Sequence, residues 1–292
     1  MISFVGAGPG NVDLITIKGR RLLEEADVVI YAGSLVSKEH LEFCKGTCEL
    51  HNSASMTLEE VVEVIESSVK EGLKVVRLHT GDPTIYGAIR EQMDVLDTKE
   101  ITYEVVPGVS SFTAACSSIK KEFTLPNVSQ TVILTRIEGR TPVPEGEDLE
   151  ELAKHKASMA IFLSVQEIDR VVEKLAKGYG SYDTPVAIVY KATWEDEEIV
   201  IGTLKDIAEK IKGKGINKMA QILVGNFIEG DYERSKLYDP AFTHKFRLSS
   251  EGENASSERE VELSRGYAIT NTSKSEGLCN RKPSDKFREA KQ

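Results

Sequence analysis

Apolar residues along the chain follow two rhythms. Short runs at Ile2, Phe4 and Val5, at Val28–Tyr31, at Lys74–Leu78 and at Tyr103–Val106 read as buried strands. Between them the apolar positions recur at helical spacing. Thr16 is placed to cap a helix through Glu25, with Leu22 and Leu23 turned to the core. Thr57-x-x-Glu60 is a capping box, followed by Leu58, Val61, Val62, Ile65 and Val69 on one stripe and by Gly72 as a stop signal. Strands separated by helices predict a parallel sheet. The polar stretch Lys120-Lys121-Glu122, with Pro126 and Asn127 behind it, reads as a connection over 121–130. It would join an N-terminal α/β domain (1–120) to a second α/β domain (131–247). The second domain is expected to carry strands at Thr131–Thr135, Ala160–Leu163, Val186–Tyr190 and Gln221–Val224, an edge strand at Glu197–Ile201, and a helix near Leu204–Ile211. Past Arg247 the periodicity ends. Residues 248–292 are rich in Ser, Glu, Lys, Arg and Asn and are expected to form a disordered tail.

Composition narrows the picture only a little. The chain has 292 residues, 40% of them hydrophobic and 29% charged, which suits soluble domains with real cores. A formal charge of −10 argues against nucleic acid as a general partner. No apolar run approaches the ~20 residues needed to span a bilayer. The chain starts on a core strand with no signal-peptide pattern. Cys44, Cys48, Cys116 and Cys279 are scattered, and a reducing cytoplasm is the simplest compartment. Cys44-x-x-x-Cys48 has only His51 nearby as a further ligand, so no metal set is assigned.

The candidate chemistry lies at strand ends. Gly6-Ala7-Gly8-Pro9-Gly10 follows the first strand, Gly81-Asp82-Pro83 follows Val75–Leu78, and Pro107-Gly108-Val109-Ser110-Ser111 follows Tyr103–Val106. Glycines there let backbone approach a ligand closely. Ligands of open α/β sheets sit at the carboxyl ends of the strands, so the three turns would converge on one crevice. The first turn is not a dinucleotide fingerprint, because Asn11 stands where the third glycine belongs. No Gly-Lys-Ser/Thr follows, which excludes a P-loop. Asp82 offers a carboxylate to ribose hydroxyls or a cation; the alternative is a cap for a helix containing Ile85 and Tyr86.

These residues carry a resemblance. Val5-Gly6-Ala7-Gly8-Pro9-Gly10, Leu14-Ile15-Thr16-Ile17-Lys18-Gly19 and Ala26-Asp27-Val28-Val29-Ile30-Tyr31 are similar to the opening of the tetrapyrrole methyltransferases. Gly81-Asp82-Pro83-Thr84-Ile85-Tyr86-Gly87 and Val106-Pro107-Gly108-Val109-Ser110-Ser111 resemble that family's next two motifs. Tyr31-Ala32-Gly33-Ser34-Leu35-Val36, Thr131–Arg136, Glu138–Glu145 and Tyr190-Lys191-Ala192-Thr193-Trp194 resemble the branch that methylates C11 of precorrin-4 or cobalt-precorrin-4 in cobalamin biosynthesis. The resemblance covers about 1–247. It implies two α/β domains with mixed sheets, a site between them, S-adenosylmethionine as methyl donor and a homodimer. A sibling enzyme acting at another ring position, and a non-catalytic tetrapyrrole- or nucleoside-binding regulator, stay open as alternatives.

The same resemblance implies that Pro9, Thr80, Gly81, Asp82, Ile85, Ser110 and Ser111 line the donor pocket, joined by Leu163, Ala192 and Ala220. The acceptor would be a polycarboxylate tetrapyrrole, which an acidic protein must meet with locally placed cations. Arg136, Arg140 and Lys191 lie in the branch-specific segments and are the candidates. Some family members place an aspartate near the Tyr31–Val36 loop, where this chain has Gly33 and Ser34, so no catalytic base is assigned. Methyl transfer from a sulfonium needs mainly alignment and exclusion of water, so the lack of a Ser-His-Asp set is no obstacle.

Overall fold

The computed structural model describes residues 1–238 and 242; the expected tail lies outside the described residues. Residues 1–235 form one unit, built around two five-stranded sheets. The first sheet takes β1 (Ile2–Gly6), β2 (Val28–Tyr31), β3 (Glu49–Asn52), β4 (Val75–His79) and β5 (Tyr103–Val106) in the order β3-β2-β4-β1-β5. Every pairing in it is parallel. The second sheet takes β6 (Val132–Arg136), β7 (Ser158–Phe162), β8 (Pro185–Tyr190), β9 (Glu198–Thr203) and β10 (Ala220–Val224) in the order β6-β7-β10-β8-β9. Only β6 and β7 run parallel there.

Local chemistry sets the helices. α1 (Ile17–Glu25) starts where the Thr16 hydroxyl accepts the Gly19 amide at 3.0 Å. α2 (Leu58–Lys70) starts on the Thr57–Glu60 capping box, formed in both directions. Its Val61 and Ile65 are buried against the first sheet with Phe4 and Ile30. α3 (Arg90–Thr98) and α4 (Ser111–Ser118) follow β4 and β5. In the second half, α5 (Leu149–Ala153) and α6 (Ile168–Tyr179) cover one face of the sheet, and α7 (Ile207–Ile211) packs beside β9. α6 ends at Gly180, which is left-handed at φ 74°.

α4 belongs in sequence to the first half and in packing to the second. Its Ala114, Ala115 and Cys116 lie against Ala160, Ala187, Val189 and Leu223 of the second sheet, with Phe227 and Ile228. Small side chains on both surfaces bring helix and sheet close. Phe123 stacks on Phe227 at 4.8 Å and against Phe112 at 5.8 Å, closing the edge of this layer.

The expected strands are present with small shifts. Leu163 falls outside β7, because its backbone turns left-handed at φ 53°. The helix of the alternative reading of Asp82, containing Ile85 and Tyr86, is absent: residues after Asp82 form an isolated turn, Tyr86 sits at φ 54° and α3 begins only at Arg90. Among the described residues no helix is long and apolar enough to cross a membrane. No group of three His, Cys, Asp or Glu gathers to hold a metal among them either. Burial raises the Cys48 thiol, and pushes Cys44 up to about 12.

β4 buries two basic side chains on one face. Arg77 reaches Gln92 Oε1 at 3.4 Å and the Ile30 carbonyl at 3.2 Å. His79 is 5% exposed, and its Nε2 has no partner among the described residues. Burial, helped by the Arg77 charge, lowers the His79 pKa to about 3. The folded protein therefore holds this imidazole neutral while the unfolded chain protonates it near 6.5. Stability supplied by His79 is complete above pH 6.5 and falls as pH drops toward 3, at up to ~1.4 kcal/mol per unit. Denaturant titrations of wild type and His79→Phe at pH 7 and pH 5 check this. The acid loss should be smaller in the variant, and an equal loss contradicts the assignment.

The three glycine turns meet backbone to backbone. A Cβ on Gly6 would stand 2.6 Å from the Gly81 carbonyl oxygen and 2.7 Å from Gly108 Cα, and one on Gly108 would collide with the same oxygen. Gly108→Ala should destabilise the fold at the upper end of the ~1–3 kcal/mol range for overpacking, because the obstructing atoms are backbone. A thermal melt within a degree of wild type contradicts that contact.

Candidate active site

Register explains why the turns converge. β1 lies between β4 and β5, with Gly6 opposite His79 and Val5 opposite Val106, so the three carboxyl ends are level. The Gly8 amide donates to the Gly81 carbonyl at 3.2 Å, and the Gly81 amide donates back to Gly8 at 2.7 Å. Asp82 completes the join. One carboxylate oxygen accepts from the Thr84 amide (2.8 Å) and hydroxyl (2.5 Å), and the other accepts from the Gly108 amide at 3.1 Å. Asp82 thus ties the second turn to the third rather than capping a helix.

The second sheet closes the crevice through the loop after β8. Trp194 Nε1 donates to the Pro9 carbonyl at 2.8 Å, and the Asn11 amide donates to the Thr193 hydroxyl at 3.1 Å. The indole lies where a side chain on Gly10 would be, so Gly10 admits the tryptophan rather than a ligand. Below it, Gln221 accepts from the Ser111 hydroxyl at 3.0 Å and donates to the Ile161 carbonyl at 3.0 Å, joining α4 to β7.

Between these parts lies a cavity of about 340 Å³. Pro9, Thr80, Gly81, Asp82, Ile85, Ser110, Ser111, Leu163, Ala192 and Ala220 all line it, so every residue expected at a donor pocket is brought together. Lys191 lines it too, along with Leu35, Tyr86, Phe162, Gln166, Trp194, Lys218, Met219 and Gln221, which the sequence reading did not single out as site residues. Four lining residues other than glycine, Tyr86, Leu163, Lys191 and Met219, have left-handed backbone at φ 54°, 53°, 47° and 52°. Each such residue costs of order 1 kcal/mol, and such strain gathers at functional sites. Side-chain identity gives no warning of it.

A second cavity, of about 570 Å³, adjoins the first and is lined by Arg136, Ile137, Gly139, Arg140, Thr141, Leu163, Gln166 and Glu167. The expected cations behave differently from one another. Arg136 turns its guanidinium back on its own loop, donating to the carbonyls of Ile137 (3.2 Å), Thr141 (3.1 Å) and Pro142 (2.7 Å). Lys191 is paired with Asp196, whose hydrogen bond raises the ammonium pKa, and lies 5.6 Å from the Trp194 ring. Arg140 is exposed on the cavity wall and has no partner among the described residues. Arg170 and Lys174 brace its loop, reaching Glu138 at 2.6 and 3.1 Å.

Residues 1–208 match the model of the tetrapyrrole (corrin/porphyrin) methylases. The chain belongs to that family. A cobalt-precorrin-4 C(11)-methyltransferase of Methanocaldococcus jannaschii is 58% identical over 249 residues, covering 85% of this chain and 96% of the relative. Among solved structures, a cobalamin biosynthetic enzyme described as cobalt precorrin-4 methyltransferase, CbiF, is 49% identical with TM-score 0.77, covering 78% of this chain and 95% of its own. The uroporphyrin-III C-methyltransferase of Thermus thermophilus in complex with S-adenosylhomocysteine is 26% identical with TM-score 0.66, covering 78% and 98%. The tetrapyrrole methylase fold therefore accounts for both sheets.

In this methylase Asp82 makes a specific structural prediction. Asp82→Ala removes charged hydrogen bonds worth ~1.5–3 kcal/mol in all. Hydrogen exchange at the Thr84 and Gly108 amides should accelerate by at least ~10-fold. Unchanged exchange at Gly108 contradicts the tie between the two turns.

Proposed function

We propose that this protein is an S-adenosylmethionine-dependent C-methyltransferase that methylates C11 of cobalt-precorrin-4, a polycarboxylate tetrapyrrole of cobalamin biosynthesis. The observation that carries the reading is a pair of adjoining cavities of different chemistry. One is walled by Ile85, Leu163, Ala192 and Ala220 with a fringe of hydroxyls; the other carries Arg140, unpaired among the described residues. The ring position is supported by the Methanocaldococcus jannaschii relative, which is named a C(11)-methyltransferase.

The residues present fit the donor. Apolar walls suit adenine and the methionine chain. α4 opens on the cavity, and no side chain caps its first turn, so its free amides and positive dipole end suit a carboxylate. The hydroxyls of Thr80, Ser110 and Ser111 and the amide of Gln221 stand at the polar edge. When bound, S-adenosylmethionine supplies an electrophilic methyl group on a sulfonium and departs as S-adenosylhomocysteine. The chain's own work is positional. The glycine turns fix the cavity floor, Trp194 and Ala192 cover it from the second sheet, and water is excluded by the apolar walls. Arg140 draws in and orients the acceptor's carboxylates, and Arg136 holds the loop that presents it.

Incubation with ¹³C-methyl donor and cobalt-precorrin-4 tests the reading, with label expected at C11. Label at another ring carbon favours a sibling activity, and no label with intact donor binding overturns catalysis on this acceptor. Arg140→Ala should lower acceptor kcat/KM by ~10-fold or more, the loss of one charge-assisted hydrogen bond, with donor affinity unchanged. Acceptor kinetics equal to wild type would remove Arg140 from the site.

A further inference from the structure

Leu163 and Gln166 line both cavities, so the turn that carries them is the passage between donor and acceptor. The turn is rigid underneath. Ser164 is fully buried; its hydroxyl donates to the Phe162 carbonyl at 2.5 Å and accepts from the Ile137 amide at 2.9 Å. That second bond ties the passage to the arginine loop. Val165 is buried in the core of the second half. On top, Leu163 is 65% exposed despite its strained backbone. Gln166 is also exposed, and its amide makes only one contact among the described residues, from Nε2 to the Leu163 carbonyl at 3.5 Å, the outer limit of a hydrogen bond. Its neighbour Glu167 is engaged with Arg170 at 3.4 Å.

An exposed amide with no packing role, held on a rigid turn where the two cavities meet, is a group waiting for a ligand. We propose that Gln166 orients the acceptor for transfer, its Nε2 donating to a carboxylate oxygen of the tetrapyrrole so that the receiving carbon faces the donor cavity past Leu163. The proposal rests on the methyltransferase reading above. Two features favour the acceptor as partner. The amide shares its cavity with Arg140, and the ligand class there is a polycarboxylate, for which a neutral N–H donor adds direction to the attraction that the arginine supplies.

Gln166→Ala and Gln166→Glu in the full chain test it, with cobalt-precorrin-4 as acceptor and S-adenosylhomocysteine as calorimetric probe. Gln166→Ala should reduce acceptor kcat/KM by ~10-fold or more, since misplacement of about 1 Å can cost ~100-fold. Donor-product affinity should stay within about twofold, because this amide serves the acceptor. Gln166→Glu should be worse, through repulsion of the polyanion, and should recover in part at high salt because exposed charges are screened. A residue that merely shapes the turn gives no such salt dependence. Variants that turn over like wild type overturn the proposal, as does a loss of S-adenosylhomocysteine affinity matching the loss of kcat/KM. A wild-type chain that binds S-adenosylhomocysteine yet leaves the acceptor unmethylated overturns the function reading and this proposal with it.

Discussion

The site depends on three backbones touching. Gly6, Gly81 and Gly108 sit at the level carboxyl ends of β1, β4 and β5; a Cβ on Gly6 or Gly108 would strike the Gly81 carbonyl, and Gly81 itself is left-handed at φ 61°. That contact exists because β1 lies between β4 and β5 in a parallel sheet whose turns leave on the same side. It is then locked twice, by the exchanged hydrogen bonds of Gly8 and Gly81 and by the Asp82 carboxylate on the Gly108 amide. Gly6 and Gly108 are required by packing of protein on protein, and the cavity is what remains beside them.

The second sheet reaches this floor through two kinds of contact. Alanines of α4 on alanines of the sheet bring helix and sheet together over an apolar surface. The loop after β8 then lays Trp194 over Gly10 and anchors it on Pro9. Placement of the arginine loop is separate, set by Arg136 within the loop, by Ser164 below it and by Arg170 and Lys174 beside it. The two cavities are therefore supported by different contacts and share Leu163 and Gln166.

Much of this was legible in the sequence. Capping chemistry at Thr16 and Thr57 and the apolar runs marked most of the first sheet. Three glycine turns at strand ends announced one crevice. β3 was invisible because Glu-Leu-His-Asn is a polar, exposed edge strand. α6 carries a clear helical stripe at Val171, Leu175 and Ala176 that the strand pattern around it obscured. What composition cannot carry is the local context of polar groups. Arg136 and Arg140 look equivalent in sequence, yet one is held by neighbouring carbonyls and the other has no partner among the described residues. Asp82 read as a cap or a ligand group; it joins two turns and also lines the cavity. The left-handed backbone at Tyr86, Leu163 and Met219 follows from tertiary closure, which overrides the preference of those residues.

If the proposed function holds, the glycine contact, closed by Trp194, builds the donor site, and Leu163 and Gln166 stand at its opening toward the acceptor. A crystal structure of the full chain with S-adenosylhomocysteine tests it most directly. The account predicts the ligand against Gly81, Ser110 and Ala192 beneath Trp194, with its sulfur turned toward Leu163. A ligand bound elsewhere, or with its sulfur facing away from Leu163 and Gln166, would contradict it.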